Sequence, residues 1–95
     1  MIYLRRVVGT SMLPTLREGQ IIIVSNTRHY KKQDVVVAIL NRKEVIKRIT
    51  DIANGKVFLE GDNSSRSTDS RTYGWIVDSR ILGKVIWSRT TMQKG

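Results

Sequence analysis

The 95-residue chain has no cysteine. That excludes a disulfide framework, a thiolate metal site and a cysteine nucleophile, and it leaves the redox compartment undetermined. Histidine occurs once, as His29, inside the basic stretch Thr27-Arg28-His29-Tyr30-Lys31-Lys32. A cation is disfavoured there, so His29 reads as a surface residue and a Ser-His-Asp triad lacks its base. Long apolar runs are also missing. The longest, Val35 to Leu40, has six residues, whereas a membrane-spanning helix needs about 20. Arg5-Arg6 interrupts the N-terminus before an apolar region develops, which argues against a signal peptide. Acidic residues are scarce: eight Asp and Glu against seventeen Lys and Arg, a net charge of +9. That excess favours an anionic partner. Only 6% of residues are aromatic, few of them interleave with the charges, and no basic arm or basic helical face occurs. Nucleic-acid recognition is therefore disfavoured, while peripheral association with an anionic membrane surface stays open.

Helical periodicity is nearly absent, and short β-branched runs separated by turn chemistry take its place. They predict strands at about Tyr3–Val8, Gln20–Ser25, Asp34–Leu40, Glu44–Asp51, Lys56–Glu60 and Ile81–Trp87. Asn41-Arg42-Lys43 reads as a tight hairpin, and Asn54-Gly55 is a strong two-residue hairpin signal. The expected fold is all-β and mainly antiparallel: one domain over residues 1–95, a small, partly open, curled barrel or folded sheet, with a frayed tail at 90–95. Gly61 to Gly74 is the longest stretch without apolar periodicity. Long polar loops in small domains are usually functional or mobile.

Three stretches carry the chemistry. The first is Gly9-Thr10-Ser11-Met12-Leu13-Pro14-Thr15, which holds the single proline. A strand ending at a glycine can pivot sharply, and Pro14 stiffens the turn that follows. Ser11 then sits at a rigid corner. It either caps the turn or serves as a nucleophile for a base that reaches it. The second is Glu44 to Thr50, where strand alternation puts Val45, Lys47 and Ile49 on one face. An ammonium among β-branched side chains is poorly solvated, which lowers its pKa and makes a general base of it; alternatively Lys47 snorkels to water. A Ser-x-x-Lys pair is absent because Pro14 stands where the lysine would be, and Leu13 breaks a Gly-x-Ser-x-Gly elbow. A serine nucleophile here therefore requires Lys47. The third is Gly61-Asp62-Asn63 through Gly74, a loop wired by its own side chains, in which Asp69 can pair with Arg71 or Arg66.

Together these stretches resemble the type I signal peptidase family, the serine proteases with a Ser–Lys dyad. The likeness runs from about Val8 to Val85. Gly9 to Leu16 is similar to the serine box, Val45 to Ile49 to the lysine box, and Gly61-Asp62-Asn63 with Ser67, Asp69, Ser70, Arg71 and Gly74 to the final box. The resemblance implies roles. Ser11 is the nucleophile, with its backbone amide facing the oxyanion. Lys47 is the general base, and Ser67 orients its ammonium. Asp69 and Arg71 form a bracing salt bridge with Asp62 in support. Met12 and Gly9 shape a pocket for small substrate residues. No metal or cofactor is implied.

Family members carry N-terminal transmembrane helices and larger insertions, so the chain reads as a minimal soluble core, cytoplasmic or peripheral to a membrane. Gly61 to Arg71 is also similar to the short proteases that trim the leader of nickel-type superoxide dismutase. The expected function is an endopeptidase that cleaves N-terminal signal or leader peptides after small residues. Two other classes compete. One is a self-cleaving regulatory domain like the SOS repressors, disfavoured because only ten residues precede Ser11, too short a segment to fold back into the site. The other is a non-catalytic basic binding module.

Overall fold

A computed structural model describes residues 1–66 and 68–88. Its seven strands are β1 (Ile2–Arg6), β2 (Ile21–Ser25), β3 (Val35–Leu40), β4 (Lys43–Ala53), β5 (Lys56–Glu60), β6 (Ile76–Val77) and β7 (Ile81–Ser88). They form one sheet in the order β1-β2-β7-β3-β4-β5-β6, with every pairing antiparallel. The all-β, curled, partly open architecture expected from the sequence is the one observed. The expected fraying at 90–95 lies outside the described residues.

Turn chemistry sets the register. Asn41 and Arg42 have φ of 53° and 67°, and Asn54 and Gly55 have 52° and 74°. Positive φ at both central residues is the two-residue hairpin turn whose twist matches the strands it joins. The first hairpin is tighter than expected: Lys43 belongs to β4 and pairs with Leu40.

β3 lies mid-sheet, and both its faces are covered. Val36, Ala38 and Leu40 join Ile49, Val57, Leu59, Ile76 and Ile81 in one core. Val37, from the other face, joins Val7, Met12, Leu16, Ile22 and Val24 in a second. A continuous apolar run, rather than an alternating one, is what a strand buried on two sides requires. The two cores meet along the β2–β7 and β3–β7 ladders, where each ladder carries a register shift. Gly83 sits at that seam. A Cβ there would lie 2.6 Å from the Ser25 carbonyl oxygen and 2.7 Å from Val24 Cγ1, closer than packed atoms tolerate.

Two elements depart from expectation. The stretch from Gly61 to Gly74, read as a loop, contains a 3-10 turn at Ser64–Arg66 and the helix α1 (Ser70–Tyr73). The sheet also gains β6, only two residues long and paired with Lys56 and Val57. No helix among the described residues is long and apolar enough to cross a membrane.

Candidate active site

A cleft of about 380 Å³ opens between the end of β1 and the first half of β4. Ser11, Met12 and Gly9 line one wall, and Val45, Ile46 and Lys47 the other. The two stretches singled out in the sequence thus meet at one cavity. Arg5 and Glu44 also line it, and their ion pair of 2.5 Å joins β1 to β4.

The serine wall is a string of turns. The β1–β2 ladder runs on to Val7, whose N–H donates to the Gln20 carbonyl at 2.8 Å and whose carbonyl accepts from Gly19 at 2.8 Å. Gly9 then turns the chain at φ 83°, a left-handed value at which glycine carries no Cβ penalty. Leu13 N–H donates to the Thr10 carbonyl and Leu16 N–H to the Met12 carbonyl. Met12 and Leu16 drive these turns into the second core, each 3% exposed or less. Ser11 stays half-buried at the cleft.

The lysine wall is a strand. Val45 and Ile49 pack with the first core and Ile46 with the second, the alternation expected from the sequence. Lys47 is only 3% exposed, so the snorkelling alternative does not hold. Burial pushes its pKa below the ordinary lysine value; the Asp69 carboxylate opposes that shift and the Arg71 guanidinium adds to it.

The Gly61–Gly74 segment braces both walls. Asp69, 1% exposed, caps α1 by accepting from the Arg71 N–H at 3.1 Å. It also accepts from Arg71 Nε at 3.0 Å and Arg71 Nη2 at 2.5 Å, and from the Gly61 N–H at 2.7 Å. The Asp69–Arg71 salt bridge expected from the sequence is present. Ser70 accepts from the Leu59 N–H at 2.9 Å, which ties α1 to β5. Asp62 does its bracing elsewhere. It receives two hydrogen bonds from Arg48, at 2.9 Å and 2.8 Å, and a third from the Thr15 hydroxyl. The paired guanidinium holds the Asp62 carboxyl below the usual carboxylate range. Ser67 lies outside the described residues.

One residue was not singled out from the sequence. Asn63 donates from its backbone N–H to the Ser11 carbonyl at 2.8 Å and from Nδ2 to the Thr10 carbonyl at 3.0 Å. It clips the serine turn to the third stretch across more than fifty residues of sequence. Its only local signal was its place in Gly61-Asp62-Asn63. His29, as expected, is exposed.

The family model described as Peptidase S24-like matches residues 1–86. Among curated proteins the chain is similar to mitochondrial inner membrane protease subunit 1. The Xenopus tropicalis protein is 31% identical over 104 aligned positions, covering 81% of this chain and 62% of the relative. The Mus musculus protein is 31% identical over 106 positions, covering 83% and 64%. The chain thus spans under two thirds of the length of these relatives. Fold and family relate it to the Ser/Lys-dyad proteases of the signal-peptidase clan, and the chain belongs to the Peptidase S24-like family.

Proposed function

We propose that the protein is a serine endopeptidase of the signal-peptidase type, acting in trans on N-terminal signal or leader peptides with Ser11 as nucleophile and Lys47 as general base. The observation that carries this reading is a buried lysine with a lowered pKa lining the same cleft as a serine held on a fixed turn. Neutral Lys47 takes the proton from Ser11 Oγ as it attacks the scissile carbonyl. The oxyanion faces the Ser11 backbone N–H. The lysine ammonium then gives its proton to the leaving amine, and water hydrolyses the acyl-enzyme by the reverse relay. Asp69 and Arg71 act through Lys47 as positioning residues.

The register supplies a place for substrate. Residues 43–46 of β4 pair with β3 on one side, and β5 begins to pair only at Arg48. That edge borders the cleft, so an extended peptide can add there as a strand. Met12 is buried at the floor, and Gly9 contributes no side chain, which suits small residues beside the scissile bond. Both relatives are named as subunits of a protease, which favours cleavage of another chain over the self-cleaving reading.

The test is turnover of leader-type peptides with an Ala-x-Ala site, the nickel-type superoxide dismutase leader among them. Ser11→Ala and Lys47→Ala should each cost on the order of 10³-fold or more in kcat. Cleavage that survives either substitution would falsify the dyad.

A further inference from the structure

A second hollow, of about 200 Å³, adjoins the cleft. It shares Val45 with the cleft and is bounded by Leu40, Asn41, Lys43, Thr68 and Tyr73. Leu40, Asn41 and Tyr73 in turn belong to a groove of about 410 Å³, which Ile39, Arg42, Trp75, Ile76, Val77 and Arg80 also line. The three cavities run in series along the same edge of β4 and around the β3–β4 turn.

Three features of this track point to one kind of occupant. The first is charge. Lys43, Arg42 and Arg80 line the hollow and the groove, and among the described residues no carboxylate does. The second is an unsatisfied apolar wall. Tyr73, Trp75 and Val77 are 44–46% exposed, and Trp75 is steadied by an edge-on contact with Phe58 at 5.3 Å. A large aromatic held in place is the residue type that anchors binding at little entropic cost. The third is open backbone. β6 pairs with β5 on one side only, and Ile39–Leu40 of β3 lies beyond the last residue that pairs with β7, Ala38. Both of these strand ends border the groove.

We propose that this groove binds an extended, acidic segment of a peptide, with an apolar side chain against Trp75 and carboxylates at Arg42 and Arg80. The site rests on the protease reading above and gives it a substrate preference away from the scissile bond. A second copy of the chain is disfavoured as occupant, because it brings another +9. From Lys47 to Arg42 is five residues of strand, about 17 Å at roughly 3.3 Å per residue. The acidic segment therefore lies about five to seven residues from the cleaved bond.

Two fluorescent peptides test this. Each carries an Ala-x-Ala site and a block of Asp, Glu and one Leu, placed five to seven residues before the site in one peptide and after it in the other. Controls replace the block with Ser and Gly. Affinity is read by anisotropy on the Ser11→Ala protein, and KM and kcat on the native chain. One acidic peptide should bind about tenfold tighter than its control. That advantage should vanish in Arg42→Glu/Arg80→Glu and in Trp75→Ala and persist in Trp75→Phe, with kcat on short peptides unchanged. Thermal midpoints identify any variant that fails to fold. The proposal is overturned if neither acidic peptide gains affinity, or if the gain survives the substitutions. It is also overturned if these substitutions abolish binding to phosphatidylglycerol vesicles and leave the peptides unaffected. Tight binding without cleavage of any peptide would sink the protease reading and leave the groove standing. Cleavage without an acidic preference would do the reverse.

Discussion

The two walls of the cleft differ in construction. Ser11 hangs on a chain of turns that begins at a left-handed glycine and is clipped from outside by Asn63. Lys47 sits on the longest strand, between apolar neighbours that belong to the first core. Its surroundings include Asp69, a carboxylate 1% exposed that accepts from the Gly61 N–H and from the backbone N–H, Nε and Nη2 of Arg71. The loop wall places a small, neutral hydroxyl, which few interactions can hold. The strand wall must keep an ionisable amine out of water, and only a cooperative sheet does that. Stability and reactivity should therefore separate between the walls.

The largest stability loss falls on the strand wall. Asp69→Ala strips the Gly61 N–H and Arg71 of their acceptor and should cost about 3 kcal/mol, read from denaturant unfolding. The same change removes the carboxylate that holds the Lys47 pKa up. In whatever folds, the rising limb of the pH–rate profile should move to lower pH, and Arg71→Ala should move it the other way. Opposite outcomes would break the electrostatic account of this wall.

Next in size is the seam where the two cores meet. Gly83→Ala should cost about 2 kcal/mol, because its Cβ meets backbone oxygen and a packed valine. The serine wall should respond in rate more than in stability. Asn63→Ala keeps the backbone bond to Ser11 and loses the side-chain bond to Thr10, so unfolding should change by about 1 kcal/mol while kcat falls about tenfold through misplacement of Ser11. Equal losses in the two assays would make the clip merely structural.

The smallest effect is the pH dependence of folding itself. Lys47 has a lowered pKa when folded, so the unfolded chain binds the extra proton between that value and the ordinary 10.5. Stability attributable to Lys47 should rise with pH across that window. Lys47→Met, measured beside the native chain, should flatten that slope.

Local pattern made much of this legible. Six strands, both hairpins and the face that Lys47 shares with Val45 and Ile49 followed from alternation and turn residues. What stayed hidden was non-local or short. β6 has two residues and takes its identity from Lys56 and Val57. α1 lasts one turn and forms because Asp69 caps it. Nothing near Asp62 marks Arg48 as its partner, fourteen residues away and on the strand face opposite Lys47. Nothing near Asn63 marks Thr10 and Ser11, because those carbonyls arrive only once the sheet has curled.

The Asn41–Arg42 turn carries a consequence of its own. Side chains alternate with a period of two, so one residue more between Leu40 and Lys43 would reverse the phase of everything paired beyond it. Ile46 or Arg48 would then occupy the buried position, and the amine would face the wrong core. Whether the cleft holds the Lys47 amine is thus a question of parity, decided at an exposed bend. Arg42 also lines the Trp75 groove, so a single insertion there would change the cleft and the groove together.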